Sequence, residues 1–142
     1  MTNRDIDVLL VEDNSQEAEI VRLYLAKRYS LNYAIRHVRT IASAVQAIAE
    51  KRPDVILLDL HLPDTKGLDG FNTLASTASG VPIVILTNWN EEGTAASAVR
   101  AGAQDYLIKR EVNAALLHRA MLYAIERQQS EQRVLALESE LA

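Results

Sequence analysis

Cysteine is absent from the 142 residues, which excludes disulfides, thiolate metal centres, iron–sulfur clusters and cysteine nucleophiles. The five glycines are dispersed, and Gly67, Gly70, Gly80 and Gly93 do not build the glycine loop that cradles phosphate. Three histidines, His37, His61 and His118, fall on a predicted strand, loop and helix with no metal-ligand spacing, so a zinc site is not expected. Unbroken apolar runs reach only six residues, as in Val81–Leu86 with Pro82 counted, against the roughly 20 that a membrane helix needs. The run Ile6–Val11 is interrupted by Asp7 and is too short for a signal peptide. A net charge of −4 and a pI near 5.4 do not suit neutralisation of a phosphate backbone. The expectation is a cytoplasmic domain with no direct nucleic-acid or membrane contact.

What is present is the composition of one globular unit, 49% apolar and 24% charged. Val8–Val11, Val55–Leu58 and Ile83–Leu86 are Val/Ile/Leu runs without alternation, the pattern of strands buried on both faces. Tyr33–Val38 alternates more and reads as a strand nearer an edge, and Tyr106–Ile108 supplies a fifth. Helical patterns lie between them. Asn14 followed by Glu17 resembles a capping box, with Ala18, Val21 and Leu25 on one face. Thr40 can cap a helix with Ile41, Ala44, Val45 and Ile48 on one stripe, stopped by Arg52-Pro53. Leu68, Phe71, Leu74 and Ala75 form a third stripe. Asn90-Glu91-Glu92 starts a fourth helix that Gly102 can close. A fifth helix begins near Glu111 and meets no breaker through Ala142. Five β-α units predict an α/β fold with a parallel sheet covered on both sides.

Open parallel sheets bind ligands beyond the carboxyl ends of their strands. Those ends carry Glu12-Asp13, Asp59, Thr87 and Lys109. Three carboxylates brought together repel one another unless a proton or a hard divalent cation intervenes, and Mg²⁺ fits that donor set. A neighbouring ammonium and hydroxyl suit a phosphoryl group. With no cysteine, and no serine or histidine placed for it, the nucleophile is a carboxylate, and Asp59 on the central strand is deepest.

As an ordered set, Val8-Leu9-Leu10-Val11-Glu12-Asp13-Asn14, Asp59-Leu60-His61-Leu62-Pro63-Asp64 with Gly67, Pro82–Thr87 and Ala101–Lys109 resemble the CheY-like receiver domains of two-component response regulators over about residues 5–125. The resemblance implies a (βα)5 doubly wound five-stranded parallel sheet in the order 2-1-3-4-5, an arrangement for which CheY is a known example. It implies that Asp59 takes a phosphoryl group from a histidine kinase or histidine phosphotransfer protein. Asp13, Asp59 and the backbone carbonyl of His61 then bind Mg²⁺ directly, with Glu12 acting mainly through a water. Lys109 pairs with the phosphoryl group, Thr87 is the switch hydroxyl, and Tyr106 swings inward to change the face of helix four, strand five and helix five. Such a domain is a signalling phosphoacceptor and not an enzyme with a separate substrate. Three positions depart from the common pattern: Arg110 replaces a frequent proline, Asn88 a smaller residue, and Trp89 occupies a variable position that, with His61, tunes dephosphorylation. Trp89 is expected to cover the approach of water and to prolong the phosphorylated state.

Tyr24, Tyr29, Tyr33 and Tyr123 read as packing or rim residues, and Lys27-Arg28 and Lys51-Arg52 as basic helix ends. The expected boundaries are a receiver domain at 1–128 and a helical extension or linker at 129–142. A helix from Glu111 to Ala142 is about 48 Å long. Val134, Leu137 and Leu141 are spaced for a short seam, so a helix that pairs with a second copy as a homodimer or leads into an output domain outside this chain is one reading and a frayed solvated end the other. Three alternative functions fit the residues less well. A haloacid-dehalogenase-like phosphohydrolase needs an acid two residues after its nucleophile, where this chain has His61. A flavodoxin-like cofactor site needs hydroxyls and glycines where Glu12-Asp13 stand. A degenerate receiver used only for docking does not require all five site residues.

Overall fold

The computed structural model describes residues 5–27 and 32–141; Arg28, Tyr29 and Ala142 lie outside them. Strands β1 (Ile6–Val11), β2 (Tyr33–Val38), β3 (Val55–Asp59), β4 (Ile83–Thr87) and β5 (Asp105–Ile108) alternate with helices α1 (Ser15–Ala26), α2 (Ile41–Glu50), α3 (Asp69–Thr77), α4 (Glu92–Arg100) and α5 (Ala114–Leu141). All strand pairings are parallel, in the order β2-β1-β3-β4-β5. That is the predicted α/β architecture.

The period of two along each strand divides the core. Leu9, Val11, Ile56, Leu58, Ile83 and Ile85 face α2, α3 and α4, where they meet Phe71, Leu74, Ala95 and Ala98. Val8, Leu10, Val55, Leu57, Val84 and Leu86 face α1 and α5, where they meet Val21, Leu117 and Met121. β2 is half-buried along its whole length, as expected of an edge strand.

Several boundaries differ from the sequence expectation. β1 begins at Ile6 and includes Asp7, because the buried Asp7 carboxylate is paired with Arg36 and Lys51, each at 3.1 Å. β3 and β4, by contrast, end on Asp59 and Thr87 as expected. A 3₁₀ turn at Trp89–Glu91 precedes α4. A second turn at Lys109–Glu111 and an extended Val112 delay α5 to Ala114, three residues later than expected. There the Asn113 side chain accepts a 2.8 Å hydrogen bond from the Leu116 amide, satisfying one of the unpaired donors of a helix start.

α5 runs unbroken for 28 residues, about 42 Å. Beyond the sheet it is moored to the edge where the strands begin. Gln104 donates to Gln128 (2.8 Å) and Glu131 (3.3 Å), Arg127 donates to the Gln104 carbonyl (3.1 Å), and Gln132 donates to the Gly80 carbonyl (3.1 Å). Gly80 has φ +88°, a left-handed backbone conformation that favours glycine.

Candidate functional site

Strand register aligns the candidate residues at one rim. Val11 is opposite Leu58, Asp59 opposite Leu86, and Thr87 opposite Ile108. Glu12, Asp59, Thr87 and Lys109 therefore converge although they span 97 positions. Glu12, Asp59 and Thr87 are all buried.

Lys109 is the electrostatic centre. Its Nζ lies 2.8 Å from Glu12 Oε1, 2.5 Å from Glu17 Oε2 and 3.3 Å from Asp59 Oδ2. Burial works against its charge, but the three carboxylates outweigh burial and hold its pKa above the usual lysine value. Burial also pushes the Glu12 carboxyl up, to about 8; the hydrogen-bonded Asp59 adds to this, and Lys109 opposes it. Burial opposes the Glu17 charge too, yet Lys109 prevails and lowers its pKa. Three acids thus share one cation.

The loops carrying these groups are held from outside the cleft. His37 Nε2 lies 2.7 Å from the Glu12 carbonyl, and Arg39 donates to the Asp13 carbonyl (2.8 Å) and to Ser15 Oγ. The Asp59 carboxylate accepts the His61 amide at 3.1 Å. Asp64 reaches back to accept the Ile41 and Ala42 amides at 3.0 and 3.1 Å, tying the loop after β3 to the start of α2. Burial opposes the Asp64 charge, but those amides hold its pKa below the ordinary value.

Glu12, Glu17 and Asp59 place carboxylate oxygens within 4.8 Å of one another. This set of hard oxygen donors, short of positive charge, fits a small divalent cation. Asp13 is half-buried on the adjoining loop and is not part of that cluster. Thr87 donates to the Asn88 carbonyl at 3.2 Å. Tyr106 points outward and donates to Glu92 at 2.7 Å; that hydrogen bond, then burial, raises its pKa. Trp89 is 64% exposed, and His61 Nδ1 lies 3.4 Å from Glu91 Oε1 across the mouth of the cleft.

The sequence reading missed Glu17 as a site residue because it looked like half of a capping box. Asn14 does accept the Glu17 amide at 3.0 Å. The return bond is not made by Glu17: the Asn14 amide donates to Glu12, and the Glu17 carboxylate goes to Lys109. Its position in the first turn of α1, a few residues after Glu12-Asp13, is the signal that could have found it. His37, Arg39 and Asp64 act across elements and left no local signature.

A family model for the response regulator receiver domain matches residues 8–121. The chain belongs to the response regulator receiver family. This receiver is 41% identical over 100 residues to the regulatory protein LuxO of Vibrio cholerae, covering 70% of this chain and 21% of that protein. It is 34% identical over 102 residues to the transcriptional regulatory protein KdpE of Mycobacterium tuberculosis, covering 72% of this chain and 43% of that one. The receiver thus spans about a fifth and two fifths, respectively, of these relatives. Among solved structures, the signal receiver domain of a modulated diguanylate cyclase from Desulfovibrio desulfuricans superposes with TM-score 0.76 at 31% identity, covering 90% of this chain and 99% of that one. The protein is a receiver domain of two-component signalling, and among the described residues no helix is long and apolar enough to cross a membrane.

Proposed function

We propose that Asp59 is the phosphoacceptor. The observation that carries this reading is a buried Asp59 at the end of the central strand, 3.3 Å from Lys109 Nζ and beside Glu12. An Asp59 oxygen attacks phosphorus as the bond to the donor histidine nitrogen breaks, and the electron pair leaves with the imidazole, which takes up a proton. The donor is a histidine kinase or a histidine phosphotransfer protein in the cytoplasm. Mg²⁺, held by Asp13, Asp59 and the His61 carbonyl with Glu12 nearby, supplies charge neutralisation for the phosphoryl oxygens. Lys109 is the second counter-charge. Thr87 turns from the Asn88 carbonyl toward the phosphoryl group, and Tyr106 leaves Glu92 to move inward, changing the α4-β5-α5 face. His61 and Trp89 at the mouth set the rate of hydrolysis. The segment 129–142 is a helical extension of the 1–128 domain, and its exposed Val134, Leu137 and Leu141 form a seam for a second copy.

Incubation with phosphoramidate and Mg²⁺, followed by intact mass, tests the phosphoacceptor. Wild type gains one phosphate that hydroxylamine removes, and Asp59→Asn or EDTA abolishes the gain. Stoichiometric hydroxylamine-labile phosphate on Asp59→Asn refutes the assignment.

A further inference from the structure

The Lys109 ammonium has three hydrogens to donate. It hydrogen-bonds to two glutamates, at 2.8 Å to Glu12 and 2.5 Å to Glu17, while Asp59 is the farthest of its three partners at 3.3 Å. Glu12 lies at the end of β1, within the acidic cleft. Glu17 comes from the first turn of α1 and is the nearest of the three partners. Beside α1, Lys109 borders a cavity of about 290 Å³ lined by Ile20, Val21, Tyr24, Leu86 and Val112 together with the polar Asn88 and Arg110. Lys109 is 16% and Glu17 40% exposed, so the pair is partly screened by solvent. Glu17 thus belongs to the acidic cluster but has no role in the phosphoacceptor chemistry proposed above, which assigns Mg²⁺ to Asp13, Asp59 and the His61 carbonyl.

We propose that Glu17 is a positioning residue that holds Lys109 toward α1 and so slows phosphoryl acceptance at Asp59. This rests on Asp59 being the phosphoacceptor. Two effects act in the same direction. As the phosphoryl group bonds to Asp59, its oxygens need the Lys109 ammonium, and Glu17 competes for it. The phosphoryl group also brings negative charge into a cluster where Glu17 and Asp59 oxygens already lie within 4.8 Å, so Glu17 repels the incoming group as well. Neither effect depends on a proton moving, because Lys109 remains charged throughout. Glu17 acts as a resting-state brake, and removing its charge releases Lys109 to the phosphoryl group.

Glu17→Gln keeps side-chain length and helix propensity, and Glu17 is 40% exposed, so the variant folds. Labelling with phosphoramidate and Mg²⁺ is followed by intact mass over a range of donor concentrations. The saturating rate of Glu17→Gln should rise about fivefold, the scale of a partly screened ion pair, with the half-saturating donor concentration within about twofold of wild type. Glu19→Gln makes the same charge change on an exposed position of α1 and should label at the wild-type rate. An unchanged or slower Glu17→Gln, an equal gain in Glu19→Gln, or a change confined to half-saturation overturns the positioning role. Wild type that takes no phosphate overturns the phosphoacceptor reading and this inference with it. Labelled wild type with an unchanged Glu17→Gln overturns this inference alone.

Discussion

Neutralising Asp59 should stabilise the metal-free domain. The Glu12, Glu17 and Asp59 oxygens lie within 4.8 Å of one another, where two like charges at an effective dielectric of about 20 repel by about 3.5 kcal/mol. Glu17 is 40% exposed, so its share is cut to roughly half by screening. Against this, Asp59→Asn forfeits the attraction of Lys109 at 3.3 Å, about 5 kcal/mol on the same scale. At about pH 8 and above, where Glu12 is ionised, these pair terms nearly cancel. The balance is the cost of keeping a carboxylate buried at 3% exposure, only partly offset by the His61 amide, which an asparagine oxygen can still accept. A gain of about 2 kcal/mol is expected, or roughly 6–8 °C in Tm for a domain of this size.

The pH dependence gives a second check. Glu12 has a folded pKa raised from 4.5 to about 8, so the folded state binds its proton more tightly than the unfolded state. Stability therefore falls as pH rises from about 4.5 toward about 8. Asp59 is one cause of that shift, and Asp59→Asn should flatten the slope. Urea unfolding in EDTA at pH 5 and pH 8 measures both effects, and added Mg²⁺ should stabilise wild type more than the variant. An Asp59→Asn protein that is no more stable than wild type at pH 8, or whose advantage is equal at both pH values, refutes the account of a charge-crowded site.

Asp64→Ala removes two backbone hydrogen bonds at the start of α2 and should cost about 1 kcal/mol in urea unfolding at pH 7; a loss below about 0.3 kcal/mol would show that water replaces the cap. Because the folded Asp64 pKa is lowered, this contribution is present above the unfolded value and fades as pH falls through the folded one. Trp89→Glu should shorten the half-life of the phosphorylated form by roughly threefold, since water positioning at an open mouth supplies only part of what a well-placed base gives; an unchanged or longer half-life, read by intact mass after donor removal, assigns the gate to His61. Truncation after Gln128 should lower the association seen by light scattering at high concentration, because it removes Val134, Leu137 and Leu141; identical monomers with and without the tail would leave those side chains with no partner copy.

The Val/Ile/Leu runs of β1, β3 and β4 were legible because a strand buried on both faces needs apolar residues at every position. With helical stripes between them, they determined a parallel, doubly covered sheet before any contact was known. The acids and the lysine that follow those runs were legible for a related reason: ligands gather where parallel strands end. Asp7 shows where local pattern stops. A carboxylate inside a strand reads as a break until Arg36 and Lys51, 29 and 44 positions away, are seen to neutralise it. Glu17 shows the same limit within the site. Its sequence spacing from Asn14 is that of a helix cap, and only the meeting of α1 with the end of β5 turns its carboxylate toward Lys109. Asp64, Arg39 and His37 likewise hold functional loops through partners on other elements. Local periodicity reports what each segment must bury, and that determined the fold. The partner chosen by each polar side chain depends on which distant element lies beside it, and that was decided only when the sheet assembled.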